Sequence, residues 1–253
     1  MRRCNRRHSL WSAAATLSLW SGIRFPSGNL SERLLFGEGE HTLLQNKGLI
    51  KEGELKVLAT GGEGTEADIL IDAALEAFAK HGYNGTTTRQ IAKMIDRNSA
   101  VIYSRFPSKR ALLYEIIASS HESLKGDLDE AVRQASDTVD CVRRLTMAHV
   151  VFHARHCLAA RVANYELNNL APNEFQSILQ MRRRMEEMVR AAIVKGMDEG
   201  VLQVPDPALA SSVIMSMGID VSRWYREGRR LTPEELGQRY AGYVLAMLGA
   251  KTE

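Results

Sequence analysis

The sequence predicts an all-α chain in which an N-terminal three-helix helix-turn-helix domain is followed by a C-terminal helical bundle. Three observations carry that expectation. Apolar residues recur three to four apart from residue 69 almost to the C-terminus, and no alternating valine or isoleucine run reads as a strand. Two short periodic stretches, 87–95 and 99–105, are joined by the turn-forming cluster "DRN" and flanked by longer periodic stretches. Positive charge gathers on that short pair: residues 86–110 hold Arg89, Lys93, Arg97, Arg105, Lys109 and Arg110 against the single acid Asp96.

Residues 1–60 show no sustained periodicity and end in the glycine-rich "LATGGEGTEAD", which reads as a linker. Arg2, Arg3, Arg6 and Arg7 precede "LWSAAATLSLW", but Ser12, Thr16 and Ser18 dilute that stretch. It is far shorter than the roughly 20 apolar residues a bilayer span needs, so 1–60 is expected to be a poorly ordered basic extension and no membrane partner is expected. A first helix is expected over Glu66–His81, where Ile69, Leu70, Ala73, Ala74, Ala77 and Phe78 fall at helical spacing before Gly82. Thr87 with Gln90 forms a capping box for a second helix carrying Ile91, Ala92 and Ile95. Asn98 can cap a third, Ser99 to about Arg105, which Pro107 terminates. Ser108 caps a fourth, "KRALLYEIIASSHESL". "EAVRQA", "DCVRRLTMAHVVFHARHCLAARVANYELNNL", "PNEFQSILQMRRRMEEMVRAAIVKGMDEG", "DPALASSVIMSMGIDVSRWYREG" and "TPEELGQRYAGYVLAMLG" read as further helices. The domain boundaries implied are 61–118 and 119–250.

A chain of 253 residues with 45% hydrophobic and 25% charged residues is an ordinary globular composition. Cys4, Cys141 and Cys157 are too few and too dispersed for a zinc site or a disulfide framework, which points to a reducing cytoplasm. From residue 119 onward 17 Lys or Arg face 18 Asp or Glu, so the positive surface belongs to the helix-turn-helix, the footprint of a phosphate-contacting face. Small residues at the start of the third helix allow close approach to a major groove. Asn98, Ser99, Ala100, Ser104 and Arg105 are the candidates for base edges. Thr87, Thr88, Tyr103 and Lys109 suit phosphate oxygens of double-stranded operator DNA, and Arg89 is a further DNA-binding candidate on the same basic segment.

Residues 66–112 resemble the DNA-binding domain of the TetR family of one-component transcriptional regulators. The matching residues are Ile69, Leu70, Ala73, Ala74, Phe78, Gly82, Tyr83, Thr86, Thr87, Ile91, Ala92, Tyr103, Phe106, Pro107, Ser108, Lys109 and Leu112. The resemblance implies a homodimer whose C-terminal domain dimerises and encloses a small-molecule pocket, with the effector releasing the operator. Asp96 and Arg97 stand where the family usually has Gly and an apolar residue, and Ala100 occupies a frequent Gly position. "ANYELNNL", "FQSILQMRRRMEEMVRAAIVKGMDEGVL" and "DVSRWYREGRRLTPEELGQRYAGYVLAML" are similar to the subgroup that responds to fatty-acyl or steroid-derived acyl-CoA thioesters in lipid catabolism. The alternative is a TetR-type regulator of another apolar compound such as a xenobiotic.

His149, Phe152, Arg155, His156, Arg161 and Tyr165 give residues 148–169 a polar load heavy for a core helix, and Met215, Met217 and Trp224 supply adaptable and aromatic walls, so these are the candidate effector contacts. His149, His153 and His156 have ligand-like spacing, yet no HExxH pattern, cysteine cluster or paired carboxylate completes a metal or hydrolytic site. No catalytic residue, metal or cofactor is expected.

Overall fold

The computed structural model describes residues 65–226, 228 and 230–250; the extension expected over 1–60 lies outside them. Every regular element among the described residues is helical. Helices α1 (Glu66–Gly85), α2 (Thr88–Met94), α3 (Ala100–Arg105) and α4 (Lys109–Arg133) come first. They are followed by α5 (Thr138–Arg155), α6 (Cys157–Tyr165), a 3-10 turn (Leu167–Asn169), α7 (Pro172–Asp198), α8 (Pro207–Trp224) and α9 (Pro233–Met247). No described helix is long and apolar enough to cross a membrane.

Local chemistry sets the N-terminal elements. Thr65 starts α1 with a capping box to Asp68, and Gly82, at φ 70°, breaks its helical path one residue after the expected end. Of the residues expected on the buried face, Leu70, Ala73, Ala74, Ala77 and Phe78 are buried and Ile69 faces solvent, while Ile71 and Leu75 widen the apolar stripe on its other side. The Thr87–Gln90 capping box opens α2 as the sequence predicts. At its end Arg97 N–H donates to Ala92 O (2.9 Å) and Asp96 N–H to Lys93 O (3.2 Å). That is a Schellman close with Asp96 in the left-handed region at φ 54°. Asn98 Oδ1 accepts from Ala100 N–H (2.9 Å) and Ser108 Oγ from Ala111 N–H (3.1 Å), starting α3 and α4.

Two long elements depart from the sequence reading. The fourth helix does not end near Leu124 but runs on to Arg133, because Leu124, Leu128 and Ala131 continue its buried stripe; "EAVRQA" is its last turns, and residue 119 lies inside it. The single run expected from "DCVRR" to "ELNNL" is broken at His156 (φ −110°, ψ 41°) into α5 and α6. With no Gly or Pro there, packing makes the break: Phe152 enters one core while Ala159, Val162 and Ala163 enter another.

The first core joins α1–α3 and the start of α4 (Leu70, Phe78, Ile91, Ile102, Leu112, Ile116, Ile117) to α6 and the start of α7 (Ala159, Val162, Ala163, Ile178). Ile95 and Phe106 are half-buried against it. The second core lies among α4, α5, α7, α8 and α9, through Leu124, Leu145, Phe152, Met185, Val189, Ile214 and Val244. A smaller cluster of Val150, Ala154, Val221, Tyr225 and Leu236 closes the ends of α5, α8 and α9.

Candidate nucleic-acid interface and effector region

The helix-turn-helix brings the ten predicted DNA-facing residues onto α2, α3 and their flanks. Thr87, Arg89, Asn98, Ala100, Tyr103, Ser104 and Arg105 are exposed, and Thr88, Ser99 and Lys109 are half-buried. Several are braced internally. Thr88 Oγ1 and Tyr103 OH lie 3.3 Å apart and tie α2 to α3. Ser104 Oγ donates to Val101 O (2.8 Å). Arg105 reaches Glu66 at 3.5 Å, both side chains being about half exposed, so in water this pair is weak and the guanidinium can exchange partners.

Lys109 differs from the rest. Its ammonium donates to Tyr83 O (2.7 Å) and Thr86 O (2.6 Å) and lies 4.1 Å from the centroid of the Tyr83 ring. Desolvation lowers its pKa. Thr86 Oγ1 donates to Ala77 O (3.1 Å) and Gly82 O (2.8 Å) from a buried position. Together they hold the α1–α2 turn, so Lys109 is a structural member of the domain. Sequence spacing had suggested only its charge; Tyr83 and Thr86 were visible as motif residues, without the carbonyls they present.

The predicted effector contacts separate into two groups. His149, Phe152 and Met215 come together inside the second core. His149 Nε2–H donates to Met215 O (2.9 Å), which fixes the tautomer and leaves Nδ1 buried without a hydrogen-bond partner. Its ring lies against Gly218, where a Cβ would fall 2.0 Å from Cδ2. Burial lowers His149 to about 4. His153 Nδ1–H donates to His149 O (2.8 Å), and burial, with the neighbouring His149, holds its pKa well below the ordinary value. His156 packs edge-on to Phe152, with ring centroids 4.7 Å apart. Thus His149 and His153 each bind a main-chain carbonyl, and no group of three or more His, Cys, Asp or Glu among the described residues could hold a metal ion.

Arg155, on the other hand, is exposed and paired with Glu234, Tyr165 is exposed, and Arg161 and Met217 are half-buried. Trp224 lines a cleft of about 230 Å³ with Tyr225, Arg230, Leu231, Leu236 and Arg239. Arg230, in the loop after α8, and Arg239, on α9, join this lining only through the tertiary fold, since no local sequence signal links the two positions.

Comparison with known proteins places this geometry. Residues 70–116 match the family described as bacterial regulatory proteins, tetR family, and residues 135–248 match the tetracyclin repressor-like C-terminal domain. A regulatory protein in the tetR family from Rhodococcus RHA1 is 33% identical; its structure aligns with a TM-score of 0.70 over 74% of this chain and 98% of that one. The ketosteroid transcriptional regulator KstR2 of Mycobacterium tuberculosis aligns with a TM-score of 0.70 at 25% identity, over 77% of this chain and 99% of that one. The transcriptional repressor KstR2 of Rhodococcus jostii is 26% identical over 74% of this chain and 92% of its own length. A basic helix-turn-helix on a helical bundle, matched in both halves, has one reading: the chain belongs to the TetR family and is a DNA-binding transcriptional regulator.

Proposed function

We propose that the protein is a homodimeric repressor that binds a two-fold-related operator in the cytoplasm and is released by a lipid- or steroid-derived acyl-CoA thioester. The observation that carries the effector half is the cleft at the end of α8, whose lining is apolar and is drawn from Trp224, Tyr225, Leu231 and Leu236 together with Arg230 and Arg239. Apolar walls with arginines at hand suit a ligand that is apolar in its body and anionic at one end, as a CoA thioester is. The likeness to two KstR2 proteins, one described as a ketosteroid regulator, supports the same class.

At about 230 Å³ the cleft accommodates part of such a ligand. Full burial requires the α8 wall at Met215 and Met217 to part from His149 and Phe152, and that displacement is what turns binding into release. His149 Nδ1, an interior acceptor without a partner, favours an effector with a donor on its apolar body. On the DNA side, Asn98, Ser99, Ala100, Ser104 and Arg105 read base edges, while Thr87, Thr88, Arg89, Tyr103 and Lys109 hold phosphates. The two reading units are paired through α8 and α9, whose Leu209, Val213, Tyr243 and Met247 are exposed apolar residues spaced four apart on each helix.

A duplex selected by the protein from a random pool, titrated in a mobility shift with palmitoyl-CoA, steroid-CoA thioesters, free acids, free CoA and hydrophobic cations, tests the reading. Thioesters should release the duplex, and free CoA should act more weakly, since it lacks the tail whose burial contributes about 0.8 kcal/mol per methylene. Equal response to free acid and thioester refutes a CoA-specific site. Release by cations alone assigns the protein to xenobiotic sensing.

A further inference from the structure

The two large cores meet along a polar layer. On α4, Ile117 belongs to the first core and Leu124 to the second, with His121 between them. On α7, Ile178 belongs to the first core and Met185 to the second, with Arg182 between them. These two intermediate residues meet: Arg182 Nε–H donates to His121 Nε2 at 3.0 Å. Arg182 Nη2 also donates to Ala163 O (3.0 Å) and Asn164 Oδ1 (2.9 Å) on α6, and Asn164 Nδ2 donates back to Ala160 O (2.7 Å). His121 Nδ1–H donates to Ile117 O (2.7 Å), which puts the imidazole proton on Nδ1 and leaves Nε2 as the acceptor Arg182 requires. One guanidinium therefore joins three helices at the level where one core gives way to the other.

α4 and α6 reach the DNA-binding unit by different routes, and α7 leads on to the second core. α4 continues from it through Ser108, and its Leu112, Leu113, Ile116 and Ile117 lie in the first core. α6 lays Ala159, Val162 and Ala163 against the same core. α7 carries Met185 and Val189 into the second core, where α8 packs. Tyr114 OH makes a long, part-buried hydrogen bond to Ser177 Oγ on α7 (3.5 Å), and two further polar ties between the helix-turn-helix domain and the bundle lie nearer the surface: Arg110 with Glu174 at 3.6 Å and Asn84 with Asn169 at 3.3 Å. Exposed ties of this kind contribute little and tolerate displacement. A planar guanidinium with donors in fixed directions admits few placements of the helices it joins.

We propose that Arg182 is the positioning residue that fixes α4 against α6, and so transmits a displacement of the second core to the reading helix. This rests on the operator-and-effector reading above and adds the joint through which the two sites communicate. An apolar interface at this level would slide; the Arg182 fork makes the helix offset a discrete arrangement that both sites can bias.

The test uses the full chain with Arg182→Met, and with Arg182→Met combined with His121→Leu, which removes both polar groups and leaves no buried imidazole acceptor alone. Native-state hydrogen exchange, read helix by helix, needs neither operator nor effector. In the double variant the amides of α1–α3 should exchange about tenfold faster, while those of α5 and α8 keep wild-type protection. Unchanged protection in α1–α3 overturns the proposal, as does an equal loss in every helix, which marks simple destabilisation. In the mobility shift, the double variant should bind the selected duplex yet lose about tenfold of the release produced by a CoA thioester; undiminished release overturns the proposal. Should thioesters fail to release the wild type, the effector reading falls, and the exchange result still decides the role of Arg182.

Discussion

Asp96 and Gly218 show how single residues decide a turn and a close approach in this structure. Asp96 occupies the left-handed position that closes α2, with φ 54°. Glycine adopts that conformation without the steric cost an L side chain carries, so Asp96→Gly should raise stability by about 0.5–1 kcal/mol. Asp96→Val should lower it, as urea denaturation would register. Gly218 admits the His149 ring to the face of α8, and a Cβ there would fall 2.0 Å from the ring. Gly218→Ala should cost about 3 kcal/mol by displacing the imidazole and its bond to Met215 O. Gly126, mid-helix in α4, is exposed with nothing within 4 Å of its Cβ position. Gly126→Ala should therefore stabilise by about 0.5–1 kcal/mol, and a Gly218→Ala variant as stable as this control would refute the close packing. The turn at Asp96 was legible, because aspartate tolerates such a turn; the clash at Gly218 was not, because its partner lies 69 residues away.

Among the elements, the short N-terminal helices were the most readable. Capping at Thr87, Asn98 and Ser108 is local chemistry, and each cap forms where the residues place it. Their proposed roles on DNA differ in a measurable way. Arg105→Ala should weaken the selected duplex more than a random one, reducing discrimination by about 1–3 kcal/mol. Lys109→Ala should weaken both alike and lower the salt slope by about one. Because Lys109 also holds Tyr83 O and Thr86 O, its variant should melt earlier as well, whereas the exposed Arg105 should leave melting nearly unchanged. Reversed outcomes in a salt-series binding assay exchange the two assignments. The long elements were harder. Periodicity alone continues past His156, since 3.6-residue spacing carries no information about which of two cores a stripe will enter.

At the scale of the molecule, the buried histidines set the acid limit. His121, beside Arg182, and His149, buried in the second core, are lowered from 6.5 to about 4, and His153 falls well below its ordinary value. The unfolded chain takes up protons at these sites from about pH 6.5 downward while the folded chain does not, so stability falls between about 6.5 and 4. For His121 and His149 the gap is worth about 3 kcal/mol each. Asp72, raised to about 6 by burial and by Asp68, and Asp127, raised by burial, oppose this trend, while His156, lowered by burial, adds to it. Urea titrations at pH 7.5, 6 and 5 should show a progressive loss; equal stability at all three would mean that the imidazoles are not held neutral. Pairing through α8 and α9 predicts a dimer by light scattering, and Tyr243→Glu, at a 68% exposed site, should shift it toward monomer without unfolding it. A monomer both alone and on the selected duplex would remove the proposed interface.

Local and periodic signals in the sequence determined that the chain is helical, where its first helices start and stop, that positive charge lies on α2 and α3, and which family it resembles. Caps, turns and 3.6-residue stripes act over a few residues and leave their mark in the order of residue types. Tertiary structure alone decided that α4 runs unbroken between two cores, that α5 and α6 part at His156, that Lys109 serves the α1–α2 turn, and that His121, Asn164 and Arg182 meet. Each of these depends on partners brought together across the chain, where burial and directed hydrogen bonds, rather than neighbouring residues, select the arrangement.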